Sequence, residues 1–231
     1  MKLIIDCGST KADWVLSDDS KVLKLFKTDG FNPNYTSDDS ILNIINNESS
    51  YKEHILSISE IFFYGSGCGN SNNCNKIESI LKSIFINAKI YVTHDMMAAC
   101  HAILGTKKGI ACILGTGSNS CYYDGISITE HAGYILGDEG SGSYIGKQIL
   151  RDYFYNNMPN DLSQRFKEEY NISVTETINN IYHESQVSKY LASFAKFAYL
   201  NKEHEYINDL CSRCFDEFID NFIVRYECAK E

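Results

Sequence analysis

The sequence predicts an α/β protein that is built from two related subdomains. Three observations support this fold class. Short apolar segments alternate with helical patterns in the first half of the chain. A strand–turn–strand layout with Gly, Ser and Thr in the turn occurs twice, and the chain from Ser141 onward has mainly helical periodicity. Because internal similarity on this scale is typical of duplicated subdomains, we place two domains at residues 1–107 and 108–231.

The first domain is predicted to alternate strands with helices. Its strand-like segments are short and apolar, at residues 3–6, 12–17, 22–27, 61–64 and 89–93. Residues 38–47 and 73–86 carry apolar side chains at a spacing of three and four residues, which predicts helices. Asp95 follows the last of these strands and begins a segment of small residues that reads as a third helix.

The second domain repeats the opening layout and then becomes helical. Residues 110–114 and 119–124 predict two strands, and residues 203–226 predict a long helix with one apolar stripe. Cys211 and Cys214 on that stripe have the spacing of metal ligands. Since no second cysteine pair matches them, we interpret them as buried thiols in preference to a zinc or iron–sulfur site.

Composition argues against several classes of function. The chain has 30 acidic and 21 basic residues and a net charge of -9, which disfavours nucleic acid as a partner. Its apolar runs are only a few residues long, so no membrane helix is expected. The N-terminus lacks the apolar core of a signal peptide, so we expect a cytoplasmic protein whose nine cysteines are reduced.

Two turns have the composition of phosphate-binding loops. Gly8, Ser9, Thr10 and Lys11 follow the first strand, and Gly115, Thr116, Gly117 and Ser118 follow the strand at 110–114. Glycine lets the backbone approach an anion, and the hydroxyls and amides add donors. Either turn alone is equally consistent with an ordinary β-hairpin, but two of them favour nucleotide phosphates. Asp6, at the end of the first strand, is a candidate for holding a hydrated Mg²⁺.

Two acidic segments are further candidates. Asp95 lies where a strand meets a helix, so it is either a general base or a helix N-cap. Residues 137–142 combine glycines with two acids, and Ser141 can cap the helix that follows. That helix N-terminus would face an anion or a polar ligand; the alternative is a charged loop with a cap.

Taken in order, these motifs resemble the acetate and sugar kinase/Hsp70/actin superfamily. The resemblance is to its N-acetylglucosamine kinase-like branch, which is grouped with the benzoyl-CoA reductase (BadF/BadG-type) ATPases. It spans residues 1 to about 150. The segments that carry it are residues 6–11, 30–33, 64–67, 95, 114–119 and 133–141.

The resemblance implies an actin-like ATPase fold with two ribonuclease-H-like lobes around a nucleotide cleft. It implies ATP and Mg²⁺ as cofactors, with the phosphates at the two glycine turns and Mg²⁺ held through water by Asp6. It also implies a sugar site and a catalytic base, Asp95, which accepts the proton of the sugar 6-hydroxyl. The implied sugar-binding residues are Asn32, Ser66, Gly133 and Asp138.

Two departures from the family pattern leave alternatives open. His131-Ala132-Gly133-Tyr134 stands where relatives carry a Gly-Gly-Trp-Gly-like segment, which leaves the sugar preference open. The chain ends at Glu231, so we expect a second lobe that is truncated at its C-terminal end, weak kinase activity and exposed edges that favour a homodimer. The alternative functions are an activator-type ATPase for a dehydratase or reductase, and a non-catalytic sugar-binding protein.

Overall fold

The chain divides into two compact units, Met1–Gly105 and Thr106–Glu231. The computed structural model describes residues 1–19, 21–130, 137–183 and 187–229. Within those residues, no helix is both long enough and apolar enough to cross a membrane.

The first unit contains a mixed five-stranded sheet in the order β3-β2-β1-β4-β5. Its strands are β1 (Lys2–Cys7), β2 (Lys11–Asp18), β3 (Lys21–Asp29), β4 (Glu60–Gly65) and β5 (Lys89–His94). Strands β1, β2 and β3 form an antiparallel meander, whereas β4 runs parallel to both β1 and β5. All five predicted strands of this domain are therefore present.

Three α-helices connect and cover these strands: α1 (Asp38–Asn47), α2 (Ser71–Ile84) and α3 (Asp95–Ile103). Helix α2 begins two residues before the predicted start because the Asn70 side chain caps it by accepting the N–H of Asn73. A short 3₁₀ turn at Lys52–His54 has no counterpart in the predicted elements.

The core of the first unit forms around Trp14 on strand β2, next to the central strand β1. Its ring stacks on Phe26 and Tyr51 at centroid distances of 5.5 and 6.1 Å. The indole N–H donates to Thr28 Oγ1 at 2.9 Å, and the Tyr51 hydroxyl donates to the Ile45 carbonyl at 2.7 Å. The polar atoms of both rings are therefore satisfied, so that both rings are buried without an unpaired donor.

The second unit begins with a small antiparallel sheet in the order β6-β7-β8. Its strands are β6 (Gly109–Leu114), β7 (Ser118–Tyr123) and β8 (Ile128–Glu130). Strands β6 and β7 form the predicted second hairpin. Strand β8 was not predicted, because three residues with one apolar side chain carry no recognisable periodicity.

The rest of the described second unit is helical, as predicted. Its α-helices are α4 (Gly142–Phe154), α5 (Asn160–Tyr170), α6 (Val174–His183), α7 (Val187–Ser193), α8 (Ala195–Leu200) and α9 (Glu205–Phe218). The single helix predicted over 203–226 changes pitch instead, because α9 continues as a π-helical turn at Ile219–Ile223. The rings of Phe218 and Phe222 stack at 5.1 Å across this change, which keeps the apolar stripe continuous.

Cys211 and Cys214 lie on the apolar side of α9, as the sequence predicts. Cys214 is 3% exposed within the core that α4, α5, α8 and α9 form, and Cys211 packs at its margin. Burial raises the pKa of the Cys214 thiol to about 12, so it stays protonated at neutral pH. In the part of the chain that the structure describes, no cluster of three or more His, Cys, Asp or Glu side chains could hold a metal.

We expect Cys214→Ala to lower the free energy of unfolding by about 1 kcal/mol, because it leaves a small cavity in the core. Cys211→Ala should cost less than half as much, because that thiol is only half-buried. Urea titration followed by circular dichroism measures both changes. Metal content by plasma mass spectrometry should be unchanged. Stoichiometric zinc or iron that disappears in the double variant would contradict the interpretation.

Candidate active site

The carboxyl ends of the parallel strands β1, β4 and β5 bring three loops together in the first unit. Cys7, Gly65 and His94 are the last residues of these strands and lie side by side in register. The Ser66 N–H donates to the Cys7 carbonyl at 2.9 Å, which extends the pairing one step into the loops. Loops at this edge of an α/β sheet are the usual place for ligands.

The first glycine turn is closed by a bond from the Gly8 N–H to the Lys11 carbonyl at 3.0 Å. The Gly30 N–H donates to the Thr10 carbonyl at 3.1 Å, so the loop after β3 lies directly on the turn. A side chain at position 30 would overlap the Gly8 carbonyl oxygen, and only glycine allows this approach. Ser9 and Thr10 stay exposed at the tip of the turn.

Lys11 supplies a positive charge beside the turn. Its Nζ lies 3.2 Å from Asp13 Oδ2, and Lys27 Nζ lies 3.0 Å from the other oxygen of the same carboxylate. These two lysines, Lys27 first, lower the pKa of Asp13. Because the Lys11 side chain is 67% exposed, the ion pair is weak and Lys11 can turn toward another anion.

Three predicted residues meet at one point: Ser9, Asn32 and Ser66. The two serine hydroxyl oxygens are 3.3 Å apart, and Asn32 Nδ2 lies 3.4 Å from Ser9 Oγ and 3.5 Å from Ser66 Oγ. Bonds of this length are weak, so a ligand hydroxyl can replace them at little cost. Asn32 Oδ1 accepts the Asn34 N–H at 3.0 Å, so Asn32 presents its NH₂ group to the site as a donor.

Asp95 is the first residue of α3, and His94 is the N-cap. The His94 side chain accepts the Met96 N–H at 3.3 Å, which corrects the alternative that Asp95 is itself the cap. Asp95 Oδ1 accepts the same N–H at 2.9 Å and lies 3.1 Å from His94 Nδ1. The Asp95 side chain is 31% exposed, so a solute can reach it.

Two carboxylates give this region a local excess of negative charge. The pKa of Asp6 is raised, first by partial burial and then by the charges of Asp95 and Asp13, while Lys11 opposes the shift. A carboxylate held near another carboxylate fits a divalent cation. Mg²⁺ needs only one or two of them when waters and phosphate oxygens complete its shell.

In the second unit, the turn between β6 and β7 rests on the start of α4. The Gly115 N–H donates to the Gly117 carbonyl at 2.9 Å, and Gly115 and Thr116 are exposed. The N–H groups of Gly142 and Ser143 donate to the carbonyls of Gly115 and Thr116 at 2.8 and 3.0 Å. The predicted anion site at this helix N-terminus is therefore wrong for these two amides, because they already hold the turn.

Asp138 and Ser118 form the second support of that turn. Asp138 Oδ1 accepts the Ser118 N–H at 3.0 Å, and the Ser118 hydroxyl donates to the Glu139 carbonyl at 2.7 Å. Burial raises the pKa of Asp138, which is 6% exposed and has a φ of 80°. Asp138, predicted to bind sugar, and Ser118, predicted to bind phosphate, are thus both hydrogen-bonded within the fold.

The remaining predictions for this segment concern Ser141 and Gly133. Ser141 caps α4 as predicted, because its hydroxyl oxygen accepts the Tyr144 N–H at 3.1 Å. Gly133, predicted to bind sugar, lies outside the described residues.

Sequence reasoning missed the asparagines that surround Asn32. Asn73 Nδ2 donates to Asn34 Oδ1 at 2.8 Å and to the Gly67 carbonyl at 2.7 Å. The sequence does contain several asparagines within residues 70–75, at the start of α2. Their number alone does not indicate which groups their side chains contact.

The chain is similar to solved structures of sugar kinases. A "Putative N-acetylglucosamine Kinase" from Porphyromonas gingivalis is 34% identical, with a TM-score of 0.92, over 98% of this chain and 82% of that chain. This chain belongs to the sugar kinases of the actin-like ATPase superfamily.

A second solved structure shows the same fold at lower identity. It is a "Putative N-acetylglucosamine Kinase" from Chromobacterium violaceum, 16% identical with a TM-score of 0.67, over 90% of this sugar kinase chain and 77% of that chain. No protein-family model matches the chain, and the comparison with curated proteins gives no match. The narrower placement with the benzoyl-CoA reductase ATPases stays a prediction.

For this sugar kinase we expect Asp138→Ala to lower the free energy of unfolding by about 2 kcal/mol, because the buried Ser118 N–H loses its acceptor. The left-handed φ adds to the cost, since alanine tolerates it poorly. Asp138→Asn should cost less than about 1 kcal/mol, because asparagine keeps the acceptor and tolerates this conformation. Urea titration compares the two variants. Equal losses in both would show that the carboxylate charge matters, and not the hydrogen bond.

Proposed function

We propose that the protein transfers the γ-phosphoryl group of ATP to the 6-hydroxyl of an amino sugar, N-acetylglucosamine. The observation that carries the proposal is the cluster of Ser9, Asn32 and Ser66 at the strand edge where Asp95 also lies. Hydroxyls and an amide donor suit sugar hydroxyls, and a carboxylate at the same strand edge suits proton transfer. The name of the Porphyromonas gingivalis relative supports this choice of sugar.

Asp95 is the proposed general base. The Met96 N–H holds its Oδ1 in place, so the carboxylate is oriented before the substrate arrives. It accepts the proton of the 6-hydroxyl as the sugar oxygen attacks the γ-phosphorus and ADP leaves. Catalysis of this kind depends mainly on positioning and on neutralising the charge of the phosphates.

Phosphate binding is proposed for each glycine turn separately. In the first unit, Gly8, Ser9 and Thr10 offer amides and hydroxyls, and Lys11 offers a charge. In the second unit, the exposed Gly115 and Thr116 and the half-buried Gly117 offer backbone and hydroxyl groups, while Ser118 shapes the turn from inside. Asp6 would hold Mg²⁺ through water, and the bound ion would neutralise phosphate charge.

A steady-state assay tests the proposal directly. Purified protein with ATP and Mg²⁺ should convert N-acetylglucosamine to its 6-phosphate, identified by phosphorus and proton NMR. N-Acetylmannosamine and glucose are the control acceptors, and we expect lower kcat/KM for both. ADP formation that does not depend on any sugar would favour an activator-type ATPase. Calorimetric sugar binding without turnover would favour a non-catalytic sugar-binding protein.

We expect Asp95→Asn to reduce kcat by roughly 10² or more, because the amide keeps the shape but cannot accept a proton. The dissociation constant for the sugar, measured by calorimetry, should change little. Asp39→Asn, which removes an exposed carboxylate on α1, is the matched control and should keep full activity. Near-normal turnover of Asp95→Asn would exclude Asp95 as the base.

A further inference from the structure

We propose that Asn73 is a positioning residue that sets the spacing of Asn32 and Ser66 for the sugar. This inference rests on the proposed function, because it assigns a role within the same site. Asn73 itself lies on α2, behind the two loops that carry Asn32 and Ser66.

The Asn73 side chain bonds both loops at once. One Nδ2 hydrogen goes to the Gly67 carbonyl at 2.7 Å, next to Ser66, and the other goes to Asn34 Oδ1 at 2.8 Å, two residues after Asn32. The backbone of Asn73 is fixed as well, because its N–H donates to the capping side chain of Asn70 at 2.9 Å. The amide therefore acts as a rigid bridge that is anchored to a helix end.

The lengths of these bonds indicate where the geometry of the site is determined. The contacts among Ser9, Asn32 and Ser66 are 3.3 to 3.5 Å long, near the limit for a hydrogen bond. The two bonds of Asn73 are at the short end of the normal range. The ligand-facing groups are thus held weakly to one another and can exchange partners, whereas the bridge behind them keeps their backbones in place.

Close contact between the loops explains why a bridge is needed. Gly67 has a φ of 82°, and a side chain there would overlap Asn32 Oδ1. Lys76, one helical turn after Asn73, donates to the carbonyls of Pro33 and Thr36 at 3.2 and 3.1 Å. Lys76 therefore ties the Asn32 loop to α2, and the Gly67 bond of Asn73 adds the Ser66 loop. Losing Asn73 should loosen the spacing between the loops while the Asn32 loop stays attached.

The test is Asn73→Ala, with Asn72→Ala as the matched control. Both positions lie in the first turn of α2, and Asn72 is exposed, so the two variants change helix propensity alike. We expect the KM for N-acetylglucosamine to rise about tenfold in Asn73→Ala, because the loops no longer hold the sugar-facing donors at the spacing that binds the sugar. The KM for ATP should stay within about twofold, and Asn72→Ala should match the wild type. Asn32→Ala, which removes a ligand-facing group, provides the scale for a full loss.

An ordinary structural role would give a different result. The variant would then lose thermal stability and active fraction, and therefore kcat, at an unchanged sugar KM, which would overturn the inference. An inactive wild-type chain would contradict the proposed function itself. An active wild type with the same sugar KM in Asn73→Ala would contradict only the role of Asn73.

Should Asn73→Ala fail to fold, Asn34→Ala decides the question. Asn34 is exposed, and its backbone N–H to Asn32 Oδ1 is kept in the variant. The Asn34→Ala substitution removes the Asn34 Oδ1 atom that accepts from Asn73 and leaves the Gly67 bond of Asn73 in place. The KM for the sugar should therefore rise about threefold, and the KM for ATP should not change. An unchanged sugar KM in this variant would overturn the inference.

Discussion

Parallel pairing of β1, β4 and β5 is the constraint on which the candidate site depends. Paired strands lie about 4.8 Å apart, so the loops that follow Cys7, Gly65 and His94 begin within about 10 Å of one another. Ser9, Ser66 and Asp95 then follow the same edge of the sheet although up to 86 positions separate them in the sequence. The antiparallel β2 and β3 complete the arrangement, because they return the chain to the same edge and lay Gly30 on the first turn.

That convergence has an electrostatic cost. Asp6 and Asp95 are brought near each other, and the raised pKa of Asp6 records both the burial and the repulsion. Asp13, one strand away, shows the opposite result, because two lysines lower its pKa. The fold pairs the Asp13 carboxylate with lysines and leaves the Asp6 carboxylate in a negative field. This arrangement is consistent with a site that a cation neutralises when it binds together with a phosphate ligand.

Periodicity and turn composition could predict most of this architecture, because both are local properties. The alternation of apolar residues predicted the strands of the first unit, and Asp95 was recognised from its place between a strand and a helix. The bridge by Asn73 and the bond from Ser118 to Asp138 could not be predicted. Each is a hydrogen bond between a side chain and the backbone of another segment, and only the folded chain brings the two groups together. Strand β8 was missed for a related reason, since its pairing with β7 stabilises it and its own three residues carry no strand pattern.

The two glycine turns show how far internal similarity extends. Both join antiparallel strands and both have an exposed hydroxyl near the tip. Their supports differ, however. The first turn is held by a loop backbone, through the Gly30 N–H. The second is held by the first amides of α4 and by the buried Asp138 carboxylate. The two turns therefore share the exposed residues that would contact phosphate, but they do not share the hydrogen bonds that support them. Because a turn is only as rigid as its support, equivalent substitutions in the two turns should not have equivalent effects.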